Sequence, residues 1–458
     1  MHPLLVSKVV SPLQERVKRK PTYEYLRSLE QSQWLSAREL ENLQIERLKA
    51  FLEFAYREVP YYSALFDDMG MKPDQISSLA DITRMPFLDK EMIRLHQADI
   101  QARNKTPGTQ KMSTGGSTGS PVSVFVDRSR AAFTDAVRMR AHRWFGVGTG
   151  VREIALWGSP IELGRQDWSR NLRDRFVNSR FLAAFNMSEE QMVKYGDFIH
   201  KYRPAKMFGY ASAFFLLAEY LKGRNWRAPS DLKVIFATAE PLYDFQRRSI
   251  EDLFQCAVAV EYGARDAGLM ANECPKRGLH IPAEGMLIEI DSPDATGLGE
   301  IVVTNLFSNA MPIIRYRTGD MGRMLSESCP CGRALPRLDS IEGRRTDFLV
   351  TPSGRVIHAL AIIYSLREAP FVKQFQVVQE TLDKVFLRIV SETKLSSTER
   401  QGLVQKAQDA LGAGIQIAVE SVDEIPPLVS GKYRYVISNI ADGYIKELSH
   451  RAAVSDAG

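Results

Sequence analysis

Nine residues, Ser113 to Pro121, carry the clearest chemical signal in this sequence. They read Ser-Thr-Gly-Gly-Ser-Thr-Gly-Ser-Pro, so small hydroxyl side chains lie among three glycines. Glycine lets successive backbone amides turn toward one point, and hydroxyls add neutral donors, which suits a bound phosphate. The valines that follow, Val122, Val124 and Val126, predict a strand, whereas a Walker loop carries a lysine and runs into a helix. We therefore interpret the stretch as a phosphate-binding loop, with a Ser/Gly linker as the alternative.

Four further polar clusters follow in the sequence. Residues 239–241 and 261–266 each stand at the end of a predicted strand, which is where open α/β sheets bind ligands. Residues 316–320 end in a carboxylate that could accept both hydroxyls of a ribose. Residues 430–432 place a lysine on a glycine-bearing loop. Together with the phosphate loop, these clusters indicate a nucleotide site.

The cysteines indicate a second kind of site. Cys274 and His280 are six residues apart, and Cys329 and Cys331 flank one proline, so the four could supply three thiolates and one imidazole. Zinc takes such a set tetrahedrally, and a reducing cytosol disfavours disulfides. A closed set of four ligands predicts a structural zinc ion, with unliganded buried thiols as the alternative. Cys256 lies in an apolar run and is predicted to be a core residue.

The elements that must position these clusters alternate between strand and helix patterns from about residue 110 to residue 340. This alternation predicts a layered α/β domain. The predicted strands are Ser123–Val126, Glu153–Trp157, Lys206–Phe208, Val234–Thr238, Ala257–Glu261, Leu287–Ile290 and Glu300–Thr304. The predicted helices are Ala211–Leu221 and Tyr243–Phe254.

Different patterns flank this region. Residues 1 to about 100 are predicted to be helical, and after residue 345 two predicted strands, 385–390 and 415–422, enclose a helix. The predicted capping boxes are Ser36 with Glu39 and Ser396 with Glu399. The predicted fold is therefore α/β, with a large multilayer N-terminal domain of mixed sheets and a small α+β C-terminal domain. The turn at residues 343–347 is the expected hinge between them.

Composition limits the function. The chain has 458 residues, 60 basic and 55 acidic side chains and a net charge of +5, with no strongly basic half, which argues against a nucleic-acid partner. It has no apolar run near the about 20 residues of a membrane span and no signal sequence, so we expect a cytoplasmic protein without an integral membrane segment. Arg16, Lys18, Arg19 and Lys20 could touch anionic lipid, but a solvated helix end is the simpler interpretation. The oligomeric state stays open, and a dimer is compatible with the sequence.

The ordered set of five motifs, from the phosphate loop to Lys432, resembles the adenylate-forming superfamily, and specifically its phenylacetate-CoA ligase branch. The resemblance implies an adenylation domain at residues 1–343, which includes the helical region 1–100. It also implies a small mobile domain at residues 344–458 that carries the catalytic lysine. ATP, Mg²⁺ and coenzyme A are the implied cofactors, and a carboxylic acid and an acyl acceptor are the implied small-molecule partners.

The resemblance also implies roles for individual residues. Lys432 would be the catalytic lysine, Arg344 would approach the ribose and phosphate, and Asp347 would be the pivot of the small domain. Asp320 would bind the ribose, and Tyr262 would stack on the adenine. The nucleotide site would further include Ser113, Thr114, Gly115, Gly116, Ser117, Thr118, Gly119, Ala239, Glu240, Pro241, Glu261 and Gly263.

Two positions depart from the pattern of many relatives. Arg265-Asp266 stands where they have Thr-Glu, and the acidic residue is the expected ligand of Mg²⁺. Aspartate is shorter but still a hard oxygen ligand, so we assign Asp266 to magnesium. The phosphate loop ends in Pro121-Val122 rather than Pro-Lys, which removes one cation. Arg265 could supply part of that charge or form a structural salt bridge.

The acyl substrate is expected beside the phosphate loop, against residues 209–216 and the strand ends near Thr238. The residues assigned to it are Tyr210, Phe214, Phe236 and Ala264. The three aromatic rings favour an aryl or other flat apolar acid, with core packing as the alternative. The expected reaction is activation of the acid to an acyl-adenylate and transfer to coenzyme A. An amide-forming ligase and a nucleotide-binding protein that has lost turnover are the alternatives. His142 and His200 are expected to have surface or packing roles.

Overall fold

The computed structural model describes residues 2–104, 108–113, 122–157, 174–184, 187, 189–344, 348–352, 356–358, 362–363, 366, 369–412, 414–426 and 434–440. For residues 113, 189, 340, 342–344, 348, 356–358 and 410 it describes the backbone alone. The chain divides into two compact units, the first Met1–Thr318 with Gly322–Ile341 and the second Gly319–Met321 with Glu342–Gly458.

The first unit opens with helices whose limits follow from the sequence. Ser36 accepts a hydrogen bond from the backbone of Glu39 and returns one to the Glu39 side chain, and this capping box starts the helix Ala37–Glu58. Pro60 excludes helical geometry at the residue before it, and Val59, at φ −119° and ψ 110°, ends the helix. The capping box of Ser36 and Glu39 that the sequence predicts is confirmed.

The described helices of this unit begin with a continuous segment, Pro3–Leu5, a π-helical turn Val6–Val10, and Ser11–Val17. Then follow Thr22–Ser32, Ala37–Glu58, Pro60–Asp68, Lys90–Leu95, Arg128–Trp144, Glu189–Tyr202, Ala211–Lys222 and Asp244–Phe254, with 3₁₀ turns at Pro73–Gln75 and Leu79–Arg84. None of the helices that the structure describes combines the length and the apolar character needed to cross a membrane.

One eleven-stranded sheet organises the unit. Two short strands, β1 (Gln110–Ser113) and β2 (Ser123–Val126), form a separate antiparallel pair. The sheet consists of β3 (Glu153–Trp157), β4 (Ser179–Ala183), β5 (Lys206–Tyr210), β6 (Val234–Thr238), β7 (Ala257–Ala264), β8 (Gly268–Glu273), β9 (Leu279–His280), β10 (Met286–Asp291), β11 (Gly299–Asn305), β12 (Ile313–Leu325) and β13 (Arg337–Arg344). Its order is β4-β3-β5-β6-β7-β8-β9-β13-β12-β11-β10.

Strands β3 to β7 form the parallel part of the sheet. Its residues alternate between two cores: Ile235 and Ala237 of β6 enter one, and Val234 and Phe236 enter another. Both faces are covered, as expected for parallel strands joined by helices. Gly209 of β5 allows close approach to β3, because a Cβ there would lie 2.0 Å from the carbonyl oxygen of Leu156.

The rest of the sheet is largely antiparallel. β8 pairs antiparallel with β7 and β9, β13 with β9, and β10 with β11. The largest core lies against this part, where Leu48 and Leu52 of the helix Ala37–Glu58 join Ile288 of β10 and Ile301 of β11, all buried. This core anchors the N-terminal helices to the sheet.

The second unit has its own sheet. Its strands are β14 (Phe348–Val350), β15 (Val356–His358), β16 (Val372–Thr381), β17 (Lys384–Ser391), β18 (Gln416–Ser421) and β19 (Val436–Ser438). The last four form a sheet in the order β18-β17-β16-β19, and β14 pairs with β15. A capping box of Ser396 and Glu399 starts the helix Ser397–Leu411, as predicted, and the helix buries Leu403 and Ala407. The predicted fold class, α/β with a large mixed sheet and a smaller α+β unit, is confirmed.

Candidate functional site

Two of the predicted clusters leave the same edge of the large sheet. β6 ends at Thr238, and β7 runs parallel to it with Glu261 opposite Thr238. The Thr238 hydroxyl donates a hydrogen bond of 2.6 Å to the backbone carbonyl of Glu261. Residues 239–241 therefore leave the sheet beside the last residues of β7. This is the edge at which open α/β sheets bind ligands.

Ala239, the first residue after β6, has a backbone conformation that alanine rarely adopts. Its φ of +67° lies in the left-handed region, which costs a residue with a Cβ about 1–2 kcal/mol. The next side chain, Glu240, accepts a hydrogen bond of 3.0 Å from the backbone amide of Ser212. Strained backbone that is fixed in this way is frequent at ligand sites. The segment is therefore a candidate wall of a binding pocket.

Glu261 lies inside the protein, within a chain of ion pairs. Its carboxylate accepts a 3.1 Å hydrogen bond from Arg138 and lies 2.8 Å from Nε2 of His142. Lys206 Nζ lies 2.9 Å from Nδ1 of the same imidazole and 2.6 Å from the carboxylate of Glu153. Because an ammonium group can only donate, Nδ1 accepts from Lys206, and Nε2 carries the proton and donates it to Glu261.

Burial and neighbouring charges determine the protonation states of His142 and Glu261. Burial, reinforced by Lys206, lowers the pKa of His142 from 6.5 to about 4, so the imidazole is neutral near pH 7. Burial alone would raise the pKa of Glu261, but Arg138 and His142 outweigh it and bring the pKa down to about 2. The Glu261 carboxylate is thus already bound to Arg138 and His142 inside the first unit, and these contacts fix the position of β7.

Asp266 is oriented by three neighbours. Its Oδ1 accepts a hydrogen bond of 3.1 Å from the Ala267 amide, and its Oδ2 accepts one of 2.6 Å from the Tyr316 hydroxyl. Arg130 donates to its backbone carbonyl at 2.7 Å. Burial lowers the pKa of the Arg130 guanidinium to about 10, while the charge of Asp266 acts in the opposite direction. A carboxylate has about four lone-pair positions, so two remain for a cation.

Residues 316–320 lie in the long strand β12. Arg317 pairs with Asp291 at 2.5 Å and with Glu300 at 3.0 Å, so its charge is balanced by strands β10 and β11. Tyr316 is fully buried against Asp266. Asp320, the predicted ribose ligand, follows in the same strand and is half-buried. The first two residues of this motif therefore stabilise the sheet and orient Asp266.

The strands that flank the glycine-rich stretch lie side by side. β1 and β2 pair antiparallel with Ser113 opposite Ser123, and Val122 and Val124 are buried in the largest core. The predicted loop residues Thr114, Gly115, Gly116, Ser117, Thr118 and Gly119 lie outside the described residues, as do Asp347 and Lys432. Only the backbone of Ser113 and Arg344 is described.

The aromatic residues assigned to the acyl substrate do not all meet. Phe214 is buried in the same core as Tyr210, whereas Phe236 belongs to the core on the other face of β6. Phe236 stacks on His142, with a distance of 3.9 Å between ring centroids. Tyr210, the last residue of β5, stacks at 4.3 Å on Trp157, the last residue of β3. An aromatic pair thus lies at the carboxyl ends of the parallel strands, and Ala264 ends β7 in a half-buried position.

The predicted metal ligands come together. Cys274 follows β8, His280 ends β9, and Cys329 and Cys331 lie between β12 and β13. Their four ligand atoms lie within 4.8 Å of one another. The sulfurs of Cys274 and Cys329 are 3.7 Å apart, and His280 Nε2 is 3.2 Å from the sulfur of Cys331. Tetrahedral zinc–sulfur bonds place two sulfurs about 3.8 Å apart, so this spacing suits a bound ion.

The surroundings of the cysteine cluster also suit a metal. His280 Nδ1 lies 3.2 Å from the carbonyl oxygen of Leu335 and so carries the proton, which directs the Nε2 lone pair toward the sulfurs. A Cβ at Gly278 would lie 2.6 Å from the Cys329 sulfur, so glycine leaves the necessary space. Burial raises the pKa of Cys274 to about 12. A cation would relieve the cost of ionising that thiol.

Sequence reasoning missed the buried charges on the helix Arg128–Trp144. His142 does have a packing role, as expected, but it also links Lys206 to Glu261. Arg130 and His142 lie eight and four residues from Arg138, a spacing that brings side chains near one side of a helix. Charged residues that recur at the spacing of an apolar face are the signal that could have revealed this network.

This chain is similar to known proteins in its C-terminal part and over most of its length. Residues 349–439 match the family described as the CapK C-terminal domain. The chain is 27% identical over 453 residues to the phenylacetate-coenzyme A ligase of Thermus thermophilus, covering 88% of this chain and 97% of that protein. It is 24% identical over 420 residues to Protein CapK of Staphylococcus aureus, covering 88% of this chain and 90% of that protein.

A solved structure shares the fold. The structure of 2-hydroxyisobutyryl-CoA ligase in the postadenylation state, in complex with 2-HIB-AMP, matches this chain with a TM-score of 0.71 and 20% sequence identity. The match covers 91% of this chain and 93% of that chain. The likeness therefore extends over both units.

Proposed function

Because this chain is a member of the adenylate-forming superfamily, in its phenylacetate-CoA ligase-like branch, we propose that it activates an organic carboxylic acid with ATP and transfers the acyl group to coenzyme A. The observation that supports the proposal is that the fold places three of the sequence motifs next to one another. Residues 239–241 and 261–266 leave neighbouring strand ends, and Tyr316 joins the motif 316–320 to Asp266. Relatives named as coenzyme A ligases support the same reaction.

The proposed reaction has two steps. A carboxylate oxygen of the acid attacks the α-phosphorus of ATP, a bond from that oxygen to phosphorus forms, and the bond to pyrophosphate breaks. The thiol of coenzyme A then attacks the acyl carbon, AMP leaves, and the thiol proton passes to solvent. The first step brings two anions together, so its transition state needs fixed donors and cations. We assign the amides and hydroxyls of residues 113–119 to the β- and γ-phosphates, and Lys432 to the developing charge.

The adenosine half of ATP is assigned to the sheet edge. Ala239, Glu240 and Pro241 would line the adenine pocket with Gly263, and Tyr262 would stack on the base. Asp320 would accept hydrogen bonds from the ribose hydroxyls. The strained backbone of Ala239 and the fixed carboxylate of Glu240 support this assignment, because a rigid wall loses little entropy when a ligand binds. Glu261 would act by fixing β7 through its buried ion pairs.

Asp266 is the residue that we assign to Mg²⁺. Its two remaining lone-pair positions and its orientation by Tyr316 support this assignment, since carboxylate oxygen is the preferred ligand of this ion. Magnesium, when bound, supplies positive charge to the phosphates of ATP.

The two units are assigned separate tasks. We propose that residues 1–343 hold ATP and the acid, and that residues 344–458 form a mobile domain that carries Lys432 and turns about Asp347. Arg344, at the junction, would approach the ribose and phosphate. In this proposal the small domain changes position between the steps, as mobile domains do when they close over a substrate, so that Lys432 serves the first step and then makes way for the thiol.

The acid is assigned to the edge formed by β3, β5 and β7. The stacked pair of Trp157 and Tyr210 supports a flat apolar or aryl acid, because aromatic rings favour offset stacking on one another. Ala264, at the end of β7, would leave space for it. Phe214 and Phe236 would act through the packing of the surrounding cores rather than by direct contact.

The cysteine cluster is proposed to hold structural zinc. Three thiolates and one imidazole fill a tetrahedral shell, so no position remains for a substrate. The cluster joins the turn between β8 and β9 to the loop before β13, and it would stabilise the sheet at that point.

Acid-dependent release of pyrophosphate tests the proposal. The full chain is incubated with ATP, Mg²⁺ and a panel of aryl, alkyl and hydroxy acids, first without an acceptor. We expect pyrophosphate only with a cognate acid, and an acyl thioester when coenzyme A is added. Binding of ATP without pyrophosphate release for any acid of the panel would instead support a nucleotide-binding protein without turnover.

An amide-forming ligase is the second candidate. It is kept as the alternative because the sequence does not distinguish a thiol from an amine as the acceptor of the acyl group. Trapping the acyl-adenylate and adding coenzyme A or a panel of amines separates the two. Discharge by an amine but not by the thiol would establish the amide ligase.

A further inference from the structure

The N-terminal helix, Pro3–Val17, turns an apolar row toward solvent. Leu5, Val9, Leu13 and Val17 are spaced four residues apart, and their exposed fractions are 47%, 52%, 58% and 76%. Residues at this spacing lie in one row along a helix. Eleven large apolar side chains are exposed in the described part of the chain, and five of them, including Leu4, lie in this helix. The row is therefore a patch and not a scatter of single residues.

Basic side chains accompany the apolar row. Residues 2–20 contain five basic residues and one acidic residue, a balance of +4, whereas the whole chain carries only +5. The exposed cations are Lys8, Arg16, Lys18 and Arg19. The single acidic residue, Glu15, is buried and hydrogen-bonded by Thr22. Glu15 also pairs with Lys18 at 3.4 Å, so Lys8, Arg16 and Arg19 supply the positive charge that the helix turns outward.

The helix is attached to the unit by its other face. Val6, Ser11 and Glu15 are buried, and Val6 lies so close to Gly150 that a Cβ there would be 2.8 Å from the Val6 Cβ. Lys20 pairs with Asp135 at 2.5 Å just after the helix. A helix on the surface of a globular protein usually turns its apolar side inward. Here the buried face contains a serine and a glutamate beside Val6, while Leu5, Val9, Leu13 and Val17 face outward.

We propose that this helix docks on an anionic lipid surface. Helices with an apolar row flanked by lysine and arginine lie in the plane of the membrane interface, with the apolar side chains among the acyl chains and the cations at the phosphates. A second copy of this chain is a poorer occupant, because two faces of the same positive charge would repel each other. The inference concerns peripheral attachment, and it does not depend on the proposed reaction.

Vesicle binding of the full chain tests the inference. The probes are vesicles of phosphatidylcholine alone and of phosphatidylcholine mixed with phosphatidylglycerol, with bound protein measured by co-sedimentation. We expect binding to the anionic vesicles that weakens as salt rises, because salt screens the cations. Equal binding to both vesicles, or none to either, would overturn the proposal.

Two variants and two matched controls locate the surface. Leu13→Glu should lower binding by at least about tenfold, since one buried leucine contributes about that factor. Arg16→Glu should lower it by more than about fivefold, the factor for one cation near an anionic surface. Leu382→Glu and Lys222→Glu change exposed residues elsewhere and should leave binding unchanged. Unchanged melting temperatures show that the variants fold.

The oligomeric state tests the alternative that a second copy of this chain covers the apolar row. Sedimentation without lipid should give the same mass for the natural chain and for Leu13→Glu. A natural dimer that this variant separates would mean that the row contacts a second copy, and the lipid proposal would be wrong.

Discussion

The hydroxyl of Tyr316 donates a hydrogen bond of 2.6 Å to Oδ2 of Asp266, and both side chains are buried. The two residues are 50 positions apart, on β12 and just after β7. This bond joins two motifs that sequence analysis singles out separately. It also directs the carboxylate that we assign to magnesium, so the tyrosine can be tested as a positioning residue.

Replacement of Tyr316 by phenylalanine should weaken the response to magnesium. Tyr316→Phe leaves a buried carboxylate oxygen without its donor, which should reduce the free energy of unfolding by about 1–3 kcal/mol. Because Asp266 is then free to turn, we expect the Mg²⁺ concentration for half-maximal pyrophosphate release to rise several-fold. Titration of Mg²⁺ at saturating ATP and acid measures this change.

Tyr202→Phe is the matched control for that experiment. It also removes a hydrogen bond of 2.6 Å, here to the backbone carbonyl of Asn178, away from the three motifs. This variant should lose stability but keep the magnesium requirement of the natural chain. Equal magnesium requirements in both variants would show that Tyr316 does not position the metal ligand.

Replacement of Ala239 by glycine tests the strained wall. Glycine adopts a φ of +67° without a steric cost, so Ala239→Gly should leave the melting temperature unchanged or raise it. If the strain helps to hold the adenine pocket, the KM for ATP should rise. Gln255→Gly relieves a similar φ of +51° at a helix end and should raise stability with no effect on KM. A lower or unchanged KM in Ala239→Gly would contradict the assignment.

His142 should make stability depend on pH. Its pKa is lowered from 6.5 to about 4 by burial and by Lys206, so between these values the unfolded chain binds a proton that the folded chain does not. The free energy of unfolding should therefore fall as pH decreases from about 6.5 to about 4. In His142→Gln this slope should be shallower by up to about 1.4 kcal/mol per pH unit. Urea unfolding at several pH values measures it, with the exposed His200→Gln expected to match the natural chain.

Zinc content tests the cysteine cluster. Metal analysis of the purified chain should find one zinc ion per chain, and Cys331→Ser should lose it and lower the melting temperature. Cys256→Ser is the control, since this thiol lies away from the other three and burial raises its pKa to about 12. A natural chain that contains no zinc and gains no stability from added zinc would exclude the site.

Lys432 should be required for the first step of the reaction. Lys432→Ala should slow acid-dependent pyrophosphate release by about 10²-fold or more, the loss found when one stabilising group is removed from a transition state. ATP binding should persist. Lys394→Ala removes an exposed cation from the same unit and should have no effect. Full activity of Lys432→Ala would refute the assignment.

Local sequence patterns predict four of the five parallel strands, β3, β5, β6 and β7, and miss β4. The bounds predicted for β2, β3 and β6 agree with the structure, and the predicted helices differ from it by one residue at one end. The strands are rich in β-branched and other apolar residues, and the helices repeat apolar residues at helical spacing.

Strand β12 shows where local patterns fail. It contains Arg315, Arg317 and two glycines, which do not look like a buried strand. The structure balances these charges with Glu289, Asp291 and Glu300, which come from other strands. Such pairing depends on the tertiary fold, so no short window of sequence contains it.

The candidate site also has one part that the sequence predicts and one part that depends on the tertiary fold. The four metal ligands could be grouped from residue type alone, and the structure brings them together. The partners of Glu261 and Asp266 could not be predicted, because His142, Arg138 and Tyr316 approach from elements distant in the sequence.

The strand order of the large sheet determines when the first unit can finish folding during synthesis. From β3 to β9 the strands join the sheet almost in the order in which they leave the ribosome. β10 to β12 are connected to β9 only through β13, which emerges after them. Until residues 337–344 are made, the open edge of β9 is available to other nascent chains. β13 therefore joins the two halves of the sheet, and a polypeptide that ends before β13 would be prone to aggregate.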